Sequence, residues 1–153
     1  MALGGTLDEE HRLAGYHRDD TLVIRAFETW THNDDIRRAL GRDEAVPAPA
    51  VVRAMSELAM RSLPLAMAVA GTAQPERTAR MVLTGPGGGE WTIACGPGEV
   101  TGTDPEVVVM TPAIDFCRRF ADRIEPDDLP LQVEGDARLA RELVTSANVF
   151  AGM

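Results

Sequence analysis

The period of the apolar residues first changes after about Ala70, and that change limits the folds open to this chain. Up to about Ala70 the apolar residues recur three and four positions apart, as on one side of a helix; from Thr78 they alternate, as on one face of a strand. Thr78 to Thr84 and Glu90 to Cys95 flank Gly85-Pro86-Gly87-Gly88-Gly89, so the spacing predicts a hairpin with a glycine-rich turn. Trp91, Ile93 and Cys95 alternate with Glu90, Thr92 and Ala94, which predicts one buried face. A phosphate-binding loop would end in Gly-Lys-Ser/Thr and open a helix, whereas this glycine run leads into a strand.

Strands and helices then interleave. Val100 to Thr103 reads as a short strand and Glu106 to Met110 as a β-branched one. Thr111 and Pro112 suit the N-cap and first position of a helix whose stripe is Phe116, Cys117, Phe120 and Ile124. Leu129 to Glu134 alternates again, and Asp136 caps a last helix carrying Leu139, Ala140, Leu143, Val144, Ala147 and Phe150. The expectation is an α+β fold, a mixed and mostly antiparallel sheet with helices on one face.

Before the sheet, residues 1–20 read as an irregular arm. Residues 21–41 hold a helix, capped by Asp19 or Asp20 and closed by Gly41, and residues 42–49 a proline-containing linker. Residues 50–153 form the α+β domain, opening on a helix from Ala50 to Ala70 that Pro64 should kink or divide. At 100° per residue Leu22, Val23, Ala26, Phe27 and Trp30 make one apolar stripe on the first helix. Glu28, His32 and Asp35 fall opposite, flanked by Ile24 and Ile36. That second stripe is expected in an interface rather than in water.

Composition removes several classes of partner. The formal charge of −9 disfavours nucleic acid and anionic lipid, since phosphate binding needs clustered cations. All 15 basic residues are arginine. No apolar run is long enough to cross a bilayer and the first residues lack the basic start of a signal peptide, so a cytoplasmic location is expected. Cys95 and Cys117 have neither disulfide-framework nor zinc spacing, and read as buried thiols. Met55, Met60 and Met67, at helical spacing, read as core, with a lipid-sized cavity as the other option.

Chemistry enters with Glu28 and His32. Residues four apart on a helix point the same way, so a carboxylate and an imidazole can share one divalent metal. Zinc takes three protein ligands in a catalytic centre and four in a structural one, so the pair needs help from elsewhere. Asp35 suits an outer partner for the histidine. His11 and His17 are the other histidines, candidates for a third ligand.

The run Phe27-Glu-Thr-Trp-Thr-His-Asn-Asp-Asp-Ile-Arg-Arg-Ala-Leu-Gly41 resembles the mycothiol-dependent maleylpyruvate isomerase family of actinobacteria, with its Glu-x-Trp-x-His, Asp-Ile and Ala-Leu-Gly elements. The Ala121-Asp-Arg123 ending and the Val133-Glu-Gly-Asp-Ala-Arg-Leu-Ala140 turn are similar to that family's sterol-carrier-like C-terminal domain. The resemblance implies that the first helix is the last helix of a DinB-like bundle, with Glu28 and His32 as ligands of a divalent metal, usually zinc. It implies mycothiol as the thiol, cis-trans isomerisation or thiol transfer as the activity, and a small-molecule substrate.

An arginine of the C-terminal domain would hold a substrate carboxylate, with Arg123 and Arg138 as the candidates. The stretch before Asp19 is too short for three further bundle helices. The expectation is therefore a truncated member, a fragment or a gene with an upstream start, inactive alone. The rival expectation is a non-catalytic module that holds a small apolar ligand or forms a homo-oligomer through the exposed N-terminal helix.

Overall fold

The computed structural model describes residues 18–148, which belong to two compact units divided between Ala45 and Val46. His11, His17 and Phe150 lie outside the described residues.

In the first unit a single helix, α1 (Arg18–Ala39), is followed by a tail that doubles back on it. Gly41, at φ +62°, lets the chain turn. Its N–H donates to Arg38 O (3.1 Å) and that of Arg42 to Arg37 O (2.9 Å), a Schellman closure that satisfies the last carbonyls. Two side chains then hold the tail. Trp30 Nε1 donates to Ala45 O at 2.6 Å, and Ala45 N donates to Asp34 Oδ1 at 3.1 Å. Arg38 ties Asp34 (3.1 Å) to Glu44 (3.3 Å).

The buried side of α1 is therefore Phe27, Trp30, Thr31 and Asp34, with Phe27 and Trp30 edge to face at 5.9 Å. This corrects the expected stripe: Leu22 is 73% exposed and Ala26 is exposed, although both were expected beside Trp30. Trp30 and Asp34 close on the tail together, and that pairing sets the buried side of the helix.

The second unit runs α2 (Pro49–Ala70), β1 (Gln74–Thr84), β2 (Gly89–Cys95), β3 (Val107–Pro112), α3 (Ala113–Phe120), β4 (Gln132–Gly135) and α4 (Ala137–Ser146). The sheet order is β2-β1-β3-β4, antiparallel at both outer pairs and parallel between β1 and β3. It is an α+β architecture.

Ala79, Met81, Leu83, Val107 and Val109 are buried on one face. Their neighbours Arg80, Val82, Val108 and Met110 are half-buried on the other. Helices α2, α3 and α4 pack on the first face, where Met55, Leu58, Met60, Leu63, Met67, Phe116, Phe120, Leu139 and Leu143 close the core. Burial of such side chains is worth roughly 1.5–3 kcal/mol each before the entropy of ordering them. Among the described residues no helix is long and apolar enough to cross a membrane.

The glycine run has a second task beyond turning. A Cβ at Gly87 would strike Pro49 O, one at Gly88 would strike Leu83 O, and one at Gly89 would strike the Arg53 guanidinium. The turn lies against the first turn of α2, where Arg53 donates to Gly88 O (2.9 Å) and stacks over Trp91 (4.7 Å).

Four local expectations change. Pro64 does not divide α2, because Leu63, Ala66 and Met67 beside it are buried and tertiary packing holds the helix across the missing hydrogen bond. Thr111 is not the cap of α3: β3 stays paired with β1 as far as Thr84 and Pro112, so Pro112 takes the N-cap position with extended ψ of 135°. Val100 to Thr103 is not a strand, although Thr101 O accepts from Thr78 Oγ1 at 3.0 Å. Finally, β4 begins only at Gln132 and is exposed throughout, because it forms the sheet edge; Val133 is 38% exposed and Leu129 alone of its set is buried.

Candidate functional site

Glu28 and His32 occupy neighbouring turns of α1, on the side away from the tail clamp. His32 is exposed; Glu28 is half-buried, with Arg25 Nη1 at 3.3 Å from its Oε2. Neither is among the side chains that hold the tail, whereas Trp30 and Asp34, in the same motif, are. A carboxylate and an imidazole one turn apart supply two of the three or four protein ligands that zinc requires. Among the described residues no group of three His, Cys, Asp or Glu side chains gathers to complete the set. The described residues thus supply two ligand-type side chains at this spacing and no third beside them.

The arginines proposed for a substrate carboxylate differ in availability. Arg123, in the turn after α3, is half-buried and donates to Ala121 O at 2.6 Å. Arg138, in the first turn of α4, has a side chain 90% exposed and a loose contact to Glu142 at 3.4 Å. An exposed guanidinium keeps its planar fork available to a carboxylate.

Polar residues of the second unit form two networks that the sequence did not announce. In the first, Arg77 Nη2 donates to Asp136 Oδ2 (2.6 Å) while Asp136 Oδ1 caps α4 by accepting from Leu139 N (3.0 Å). Gln74 joins Arg77 (3.2 Å) to Glu142 (2.6 Å), and Glu106 accepts from Thr78 N (2.7 Å). The Leu139 N–H and then Arg77 hold the Asp136 carboxyl below its ordinary range. The Thr78 N–H lowers Glu106, and hydrogen bonding to Asp136 raises Arg77.

In the second network the buried Arg119 donates to Ile124 O (2.7 Å), Val144 O (3.1 Å) and Asp122 Oδ1 (3.1 Å). It thereby satisfies a carbonyl near the end of α4 and fixes the turn after α3, where Asp122 adopts φ +58°. Both networks join elements of the fold. An arginine followed by another arginine at the end of an apolar helix was the only sequence signal for the second.

The thiols are not poised for nucleophilic chemistry. Burial pushes Cys95 up to about 11 and Cys117 to about 12, so both are protonated near neutrality. Met55, Met60 and Met67 lie in the core. On the half-buried face of the sheet, an open groove of about 330 Å³ is lined by Thr84, Met110, Pro112, Pro130, Leu131 and Gln132.

No protein-family model, curated protein or solved structure matches the chain.

Proposed function

We propose that this chain belongs to a thiol-dependent isomerase or transferase of the maleylpyruvate isomerase type, and that Glu28 and His32 are ligands of its divalent metal. The observation that carries this reading is the division of labour on α1. Trp30 and Asp34 of the motif hold the tail, while the exposed His32 and the half-buried Glu28, bonded only within the helix to Arg25 at 3.3 Å among the contacts described, lie on the other side. With two ligands in hand the chain supplies half of a centre and is inactive until further donors join it.

A bound metal supplies Lewis acidity toward a thiol or a carbonyl oxygen. Glu28 would offer it a carboxylate oxygen and His32 an imidazole nitrogen; in the second unit, taken by itself, the exposed Arg138 presents a fork that suits a carboxylate. The thiol comes from the cosubstrate, mycothiol by the resemblance, because Cys95 and Cys117 are buried and protonated.

Zinc titration by calorimetry, comparing the native chain with Glu28→Gln/His32→Ala, tests the reading. Binding that disappears in the double variant supports it; equal binding by both proteins removes these residues as ligands.

The groove beside β4 favours a second reading, a binding module for a small apolar molecule held against Met110, Pro112 and Leu131. An environment-sensitive apolar dye should then bind, and Met110→Asp should abolish the signal without unfolding the protein.

A further inference from the structure

The groove of the second unit opens where its sheet comes apart. Strands β1 and β3 run parallel and end together, Thr84 opposite Pro112, but the chain leaves β1 toward β2 on one side and β3 toward β4 on the other. Open parallel sheets bind ligands at such a divergence, beyond the carboxyl ends of the strands. Strand β4 parts from β3 at the same end. Their pairing stops at Met110 and Gln132, and two positions further on the register would set Pro112 against Pro130, neither of which has an N–H to give. The space left is about 330 Å³, at the small end of the range for pockets that hold small molecules.

Two features say what head group such a molecule carries. Thr111 lines the groove and is 2% exposed, and its Oγ1 is buried without a hydrogen-bond partner. Buried hydroxyls in folded proteins are nearly always paired, so one left over in the wall of a groove points to a bond made with a ligand. Pro112, the next residue along the wall, is the N-cap of α3, and no side chain caps that helix. The first N–H groups of a helix have no acceptors within it and favour negative charge. Asp115, in the same turn, is already paired with Arg118 at 3.1 Å. A hydroxyl proton and helix N–H groups are all donors, so the matching head is an oxygen acceptor, a carboxylate ahead of a neutral carbonyl. Met110, Pro112, Pro130 and Leu131 make the remaining wall apolar.

We infer that the groove is a site for a small carboxylic acid with an apolar body, its carboxylate accepting from Thr111 Oγ1 at the start of α3 and its body lying on Met110, Pro112 and Leu131. The inference rests on the second reading above, that this groove holds a small apolar molecule, and adds the head group.

Calorimetric titration of the full chain with 4-ethylbenzoate tests it, with 4-ethylbenzylammonium as a probe of equal body and a donor head. The acid should bind, and the ammonium should bind far more weakly. Thr111→Val keeps the shape of the side chain and removes only the hydroxyl; it should raise the dissociation constant for the acid roughly tenfold. Its melting temperature should not fall, because the hydroxyl it removes has no partner in the fold. Thr111→Ser, which keeps the hydroxyl, should retain the binding.

Equal affinity of the native chain and Thr111→Val for the acid overturns the inference, as does an ammonium that binds as well as the acid. The apolar dye and Met110→Asp separate this failure from that of the reading beneath it. A dye that binds and is lost in Met110→Asp, with no binding of the acid, contradicts the head group and leaves the apolar groove standing. Binding of neither dye nor acid removes both.

Discussion

The two units use their polar residues in opposite ways. In the α+β unit, Arg119 is buried with each of its donors directed at a carbonyl or carboxylate, and Arg77, Asp136 and Glu106 tie the starts of β1, β3 and α4 together. Around α1, Asp34 and Trp30 do comparable work, but His32 is exposed and Glu28 meets only Arg25 of its own helix among the contacts described. A group engaged by its own fold has little freedom to bind anything else. On the function proposed above, the chemistry belongs to the helix rather than to the sheet.

The comparison breaks most readily where the engaged groups are removed. Arg119→Met should cost about 3 kcal/mol or more, because buried carbonyls lose donors and Asp122 loses its partner; equilibrium denaturation measures it. A cost near zero would mean that the network is incidental. Gly88→Ala should follow, losing roughly 1–3 kcal/mol as the new methyl collides with Leu83 O inside a closed turn.

The acid response of the Asp136 network is a smaller effect. Its folded pKa is depressed, so its contribution is present above the unfolded carboxylate value and is lost as pH falls through the folded one. Asp136→Asn should therefore flatten the loss of stability on acidification, a difference seen in thermal melts between neutral pH and pH 3. Glu28→Gln and His32→Ala should change stability least, within about 0.5 kcal/mol, because His32 is exposed and Glu28 loses only a solvent-screened contact to Arg25.

Much of the fold was legible because the periods are strong. The alternating β1 and β2, the glycine turn, the Asp136 cap and the αL closure at Gly41 all follow from local chemistry. What failed was decided by partners distant in sequence. Pairing of β3 with β1 overrode the cap signal at Thr111, and the sheet edge left Val133 without a cover.

On α1 the hydrophobic pattern alone placed Leu22 inside. The side was set instead by two hydrogen bonds to Ala45, fifteen and eleven residues from their donor or acceptor. Glu28 and His32 could be selected by spacing and motif. That Asp34, one residue before the motif's Asp35, is the structural acid was not visible without the fold.

The claim that Glu28 and His32 are ligands, not ornaments of a solvated helix, is tested most directly by cobalt(II) substitution followed by absorption spectroscopy on the purified chain. The account predicts ligand-field bands that appear with the native protein and vanish with either Glu28→Gln or His32→Ala, while the melting temperature of each metal-free variant stays at the native value. Identical spectra for the native chain and both variants would contradict it.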